Sequence, residues 1–156
     1  MEIGGLPLHF LVVHAAVVFT PLAALAAIVF AVVPRWRWLT RWPALVTGLI
    51  ALGSVVTAKL SGTSYLDEHP ELAPIVKVHQ ERGDLLMWIT IGFAVAVVIA
   101  TWMLGSGTPL PSGKGARESA LPAADNVLAV VLVLTALAVL VQVVLTGDAG
   151  SRAVWG

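Results

Sequence analysis

The chain has 156 residues, of which 58% are hydrophobic and 12% charged, with nine basic and nine acidic side chains and no cysteine. Soluble domains carry roughly 25% charged residues. The low charged fraction of this chain, together with its mean hydropathy of +0.93, excludes an ordinary soluble domain. The balanced charge and the lack of a basic stripe exclude a nucleic-acid-binding protein, and the absence of cysteine excludes disulfides and thiolate metal sites.

The first apolar stretch, residues 7–33, has no charged side chain and is long enough for a retained membrane span. Pro7 suits the first turn of a helix, and Pro21 predicts a kink in mid-span. The stretch nevertheless contains two histidines, His9 and His14. An ionisable group in a membrane-length apolar run is costly, so it commonly has a partner or a function.

Three further membrane spans are predicted, at residues 43–60, 84–104 and 125–146. The second span is rich in small residues, among them Gly48 and Gly53, which favour close helix approach in a bilayer. The fold class expected is all-α, a polytopic membrane four-helix bundle in which residues 1–156 form a single domain.

Four spans place both termini on the same side of the membrane. The first connection has three arginines and no acid, and the third has Lys114 and Arg117 against Glu118. The positive-inside rule then favours both termini and the segment 61–83 outside the bacterial cytoplasmic membrane. All four histidines consequently lie at one face of the membrane, the outer face in this orientation: His9, His14, His69 and His79.

Spacing limits how these histidines combine. His9 and His14 are five residues apart, so on a helix they point about 140° away from each other and one helix cannot easily offer both to one ion. Gly83 follows His79 by four residues and falls one turn deeper on the same face, where it would make room for a flat macrocycle.

Three interpretations remain open. The first is a b-type haem held between histidines of different helices, with His14 and His79 as the axial ligands of the haem iron and with His9 and His69 as secondary candidates. The second is a zinc or copper site formed by the four histidines and nearby carboxylates. The third is a structural or assembly subunit without a cofactor, whose histidines contact a partner.

Residues 8–14, LHFLVVH, followed by an apolar run with Pro21, resemble the opening His-Pro-x-x-Val-His-Phe-Pro signature of a bacterial family of four-helix membrane proteins, domain of unknown function 2231. The resemblance continues in a third helix that opens with His79 and in the glycine-rich tail, residues 146–155. It covers essentially the whole chain.

The chain departs from the family pattern at several positions. Phe10 stands where proline is usual, Ala15 and Ala16 replace the second Phe-Pro, and Asp148 stands where the tail often has histidine. The last change weakens the case for a ligand from the tail. Some relatives are fused to, or encoded beside, Rieske-type iron–sulfur domains, so the resemblance implies membrane electron transfer and favours haem over a bare metal ion.

The sequence therefore predicts a small redox subunit that binds haem b between transmembrane helices and transfers electrons at the outer membrane face. We expect an electron-transfer protein rather than a stand-alone enzyme, with the lipid bilayer and a Rieske-type or other redox protein as partners. A homo-oligomer is left open. The alternative is a non-redox structural or assembly protein, or a histidine-based protein that binds a divalent metal.

Overall fold

A computed structural model describes residues 2–3 and 6–156 of the chain, with side chains from residue 8 onward. Four long helices dominate it: α1 (Leu8–Val32), α2 (Arg37–Glu68), α3 (Ala73–Met103) and α4 (Asp125–Trp155). Single 3₁₀ turns precede the last three helices, at Pro34–Trp36, Pro70–Leu72 and Pro122–Ala124. Two short strands, β1 (Glu2–Ile3) and β2 (Leu6–Pro7), pair antiparallel ahead of α1.

All four helices are long and apolar enough to cross a membrane, which confirms the predicted all-α membrane bundle. Three helices extend beyond the predicted spans: α2 at both ends, α3 at its start and α4 at its end. α2 continues to Glu68, beyond the predicted span end at residue 60, and the ring of His9 from α1 packs on this stretch at Gly62. The hydroxyls of Ser61 and Thr63 donate to the carbonyls of Thr57 and Lys59 one turn earlier. The glycine-rich tail is likewise helical as far as Trp155.

The helices form a ring in which each packs against its neighbours in sequence and α4 packs against α1. α1 and α3 are therefore diagonally opposed, as are α2 and α4. Fully buried alanines of α1, including Ala23, Ala24 and Ala27, allow close helix approach, and the side chains of Phe30 and Phe93 fill the core.

The buried positions show that the bundle is built from two similar halves. All seven buried positions of α1 recur 70 residues later in α3, from Ala16 and Leu86 to Ala31 and Thr101. Four buried positions of α2 recur 88 residues later in α4: Ala44, Gly48, Ala51 and Val55 correspond to Leu132, Ala136, Val139 and Val143. The fold is thus two parallel copies of a helix pair, a recurrent plan among membrane proteins.

The end at which α1 and α3 finish, which we call the arginine end, is fastened by two buried or half-buried arginines. Arg37 donates to the carbonyls of Phe30 and Ala31 at the end of α1, and to that of Gly105. Arg117 donates to the carbonyls of Thr101 and Trp102 at the end of α3. Each arginine thereby satisfies helix-terminal carbonyls that have no partner within their own helix.

Candidate functional site

A cavity of about 500 Å³ opens among all four helices at the opposite end of the bundle, which we call the histidine end. Its walls are mainly apolar, and His9 and His79 contribute to them from the diagonal helices α1 and α3. Lys59 adds a cationic side chain from α2. A volume of this size lies within the range of roughly 300–1,000 Å³ that is typical of sites for cofactors and other small ligands.

His9, in the first turn of α1, packs directly on the backbone of α2. Its Nδ1 lies 2.9 Å from the carbonyl oxygen of Ala58. A Cβ added to Gly62 would lie only 2.9 Å from the same nitrogen. Only glycine therefore leaves room for this ring at its present place.

His79 repeats this arrangement in the second half of the bundle. Its Nδ1 lies 3.0 Å from the carbonyl oxygen of Thr146 in α4. A Cβ added to Gly150 would lie 3.0 Å from that nitrogen. In both halves the accepting carbonyl precedes the glycine by four residues, or about one helical turn.

These hydrogen bonds assign the tautomer of both rings. A carbonyl oxygen only accepts, so each Nδ1 carries the hydrogen and each neutral ring keeps its lone pair on Nε2. Within residues 8–156, Nε2 of His9 and of His79 forms no hydrogen bond. A ligating histidine usually has its other nitrogen bonded to a carbonyl or carboxylate in this way, which orients the ring and raises its basicity.

The two rings lie close enough to share one metal centre. Their centroids are 6.1 Å apart and their planes are inclined by 79°. A metal at about 2.0 Å from each Nε2, with each ring centroid about 1.1 Å further, would separate the centroids by roughly 6 Å. Across residues 8–156, however, no group of three His, Asp or Glu side chains is placed to hold an ion.

The structure brings His79 together with His9 and not with His14, the partner expected from the sequence. His14 is exposed on the outside of the bundle, where its Nδ1 lies 2.6 Å from the carbonyl oxygen of Phe10 in its own helix. The five-residue spacing from His9 explains this, since it turns the two side chains to different faces. His69 directly follows the last residue of α2 and stacks on Tyr65, with ring centroids 4.4 Å apart.

Gly83, the glycine predicted to make room for a macrocycle, lines the cavity and has open space at its Cβ position. Gly48 packs against Val97 in the core, and Gly53 has no neighbour within 4 Å of an added Cβ. Gly62 and Gly150, the two glycines that leave room for the histidine rings, were not singled out from the sequence. The recurrence of small-Gly-hydroxyl triplets at residues 61–63 and 149–151 was the available signal.

Comparison with protein families matches residues 5–156 to the family described as predicted membrane proteins, domain of unknown function 2231. The chain belongs to this family. Membership confirms the resemblance carried by residues 8–14 and the tail, and it agrees with four membrane-spanning helices. No curated protein and no solved structure matches the chain.

Two further sets of contacts hold the site in this member of the domain of unknown function 2231 family. Lys59 of α2 forms an ion pair with Asp84 of α3 beside the cavity. The side chains of Gln142 and Thr146 donate to the carbonyl of Arg82, at 3.0 and 3.2 Å, and fix α4 against α3. Since the carbonyl of Thr146 also accepts from His79, the latter contacts position that ring.

A series of aromatic rings leads from the cavity to the end of α2. His9 and Phe10 lie 5.9 Å apart between ring centroids, and Phe10 and Tyr65 lie 5.8 Å apart. Tyr65 in turn stacks on His69. The family member thus has ring-to-ring contacts that connect a cavity-lining histidine to a histidine at the end of the bundle.

Proposed function

We propose that this protein is a small membrane redox subunit that binds haem b between His9 and His79. The observation that carries the proposal is the pair itself: two histidines on diagonal helices, each with Nδ1 bonded to a carbonyl, with ring centroids 6.1 Å apart. Axial histidines from different helices are the usual means by which helical bundles hold haem.

The number of protein ligands favours haem over a bare ion. A porphyrin supplies four of the six ligands of its iron, so two histidines are sufficient. Structural zinc takes four protein ligands and catalytic zinc usually three, whereas the described part of the chain groups only two histidines at the cavity. Mainly apolar walls from four helices also suit a macrocycle better than they suit a hydrated ion.

The chain's own residues have distinct tasks in this proposal. His9 and His79 would hold the haem iron through Nε2, while the carbonyls of Ala58 and Thr146 keep the rings oriented. Lys59 lines the cavity, and its ammonium would supply a cation for a propionate carboxylate in addition to its ion pair with Asp84. Haem held there would supply reversible one-electron chemistry, with a potential set by the two histidines and by burial in the apolar cavity.

Electrons would enter or leave at the histidine end. Phe10 and Tyr65 line the cavity, and Tyr65 stacks on His69, which follows α2 at that end of the bundle. The distribution of Lys and Arg among the connections favours this end on the outer face of the bacterial cytoplasmic membrane. A Rieske-type or other redox protein would dock there.

The experiment is a haemin titration of the purified full chain, with parallel titrations of Zn²⁺ and Cu²⁺. We expect saturation at one haem per chain and clearly weaker binding by a His9→Ala/His79→Ala double variant. A His14→Ala/His69→Ala double variant is the matched control and should bind like the wild type. Equal haemin binding by all three proteins, or binding of a metal ion in place of haemin, would contradict the proposal.

A further inference from the structure

Two guanidinium groups and two indole rings form a cluster at the arginine end, on α2, on the end of α3 and in the connection between α3 and α4. The guanidinium of Arg41 lies 4.9 Å from the centre of the Trp42 ring. Trp42 meets Trp102 edge to face, with ring centroids 6.0 Å apart. Arg117 joins them by donating to the carbonyls of Thr101 and Trp102.

Arg41 differs from Arg37 and Arg117 in having no hydrogen-bond acceptor within residues 8–156. Its Nε is buried without a hydrogen-bond partner, and within residues 8–156 it forms no ion pair. Arg37, one turn earlier, donates to three carbonyls and lies 3.8 Å from Asp125. The charge of Arg117 acts on Arg41 by repulsion. A buried guanidinium N–H without an acceptor is costly, and a second cation nearby adds to that cost.

We propose that Arg41 and Arg117 bind the phosphate of an anionic phospholipid headgroup. Guanidinium groups match phosphate oxygens in geometry as well as charge. Trp42 and Trp102 are 47% and 54% exposed, and exposed tryptophans at the ends of spans mark the depth of lipid headgroups. The phosphate would accept from the terminal N–H groups of the Arg41 guanidinium and offset the repulsion between the two arginines.

The surface next to the cluster favours a lipid over a free phosphate ion. Exposed apolar side chains continue along α2 at Val46 and Leu49, one and two turns closer to the histidine end than Trp42. A matching row on α3 consists of Ile99 and Val95, which lie closer to the histidine end than Trp102. Two acyl chains could lie along these rows, whereas a free phosphate would gain nothing from them.

The test uses the full chain, purified in a zwitterionic detergent and stripped of lipid. Phosphatidylglycerol, phosphatidylcholine and inorganic phosphate are added separately, and the unfolding midpoint and the number of bound lipids are measured. We expect phosphatidylglycerol alone to raise the midpoint, with saturation at one lipid per chain. Equal stabilisation by phosphatidylcholine or by inorganic phosphate would overturn the proposal. These measurements use only the wild-type protein, so they do not depend on whether a variant folds.

Variants then locate the site. Arg41→Gln should weaken phosphatidylglycerol binding about fivefold, the equivalent of roughly 1 kcal/mol for one basic residue at an anionic lipid surface. Arg35→Gln removes the same charge from an exposed residue that stacks on Trp36, and it is the matched control. Equal weakening by both substitutions would show diffuse attraction only and would overturn the assigned site.

Discussion

His9 and His79 occupy equivalent places in the two halves of the bundle and meet across its centre. Each ring donates from Nδ1 to a carbonyl one turn before a glycine, Gly62 for His9 and Gly150 for His79, and the two ring centroids are 6.1 Å apart. The repeat of the helix pair thus produces a nearly symmetric pair of histidines within a single chain.

The glycines beneath the two rings should be intolerant of substitution. We expect Gly62→Ala and Gly150→Ala each to lower the free energy of unfolding by about 1–3 kcal/mol, because the added Cβ displaces a histidine ring and weakens its hydrogen bond. Thermal or denaturant unfolding in detergent measures this. Gly53→Ala and Gly147→Ala are matched controls, since an added Cβ meets nothing within 4 Å at either position. Indistinguishable stabilities for the two pairs would contradict the packing described.

Arg37 should be a major determinant of stability at the arginine end. Arg37→Leu removes the donor from three carbonyls, so we expect a loss of about 3 kcal/mol in the free energy of unfolding. Arg35→Leu is the control, because Arg35 is exposed and its substitution should change stability by about 0.5 kcal/mol or less. Comparable losses in the two variants would contradict a specific capping role for Arg37.

Lys59 should influence haem affinity if its ammonium binds a propionate. We expect Lys59→Met to weaken haem binding about tenfold, the equivalent of one charge-assisted hydrogen bond. Lys77→Met removes an exposed cation from the start of α3 and should leave the affinity unchanged. The dimethyl ester of haem provides a second readout, since it should bind wild type and Lys59→Met equally. A large difference for the ester would indicate that Lys59 acts on the fold and not on a propionate.

Much of the architecture could be predicted from composition and from the positions of apolar runs. Four spans, their order and the clustering of histidines at one end follow from the count of membrane-length segments. The helix ends could not be predicted in this way, because the polar, glycine-containing ends of α2 and α4 are helical where another helix packs on them, His9 at Gly62 and His79 at Gly150. Hydropathy alone does not record such tertiary contacts.

The pairing of the histidines was the part of the site that the sequence left undecided. The five-residue spacing indicated that His9 and His14 face different ways, but it did not show which of them faces the bundle. His14 lies deeper in its span, yet its side chain is exposed, whereas the ring of His9 lines the cavity and meets that of His79. The decisive signal was the repeat of burial at 70 and 88 residues, which emerges only once helix packing is known.

The central claim is that His9 and His79 bind haem as an axial pair. The most direct measurement is a reduced-minus-oxidised visible spectrum of the full chain, purified after expression with haem supplementation, in wild type and in the His9→Ala, His79→Ala and His14→Ala variants. We predict a sharp b-type band for wild type and His14→Ala, and its loss or shift in the other two. A flat spectrum from folded wild-type protein, or a band that depends on His14 and not on His9, would contradict the account.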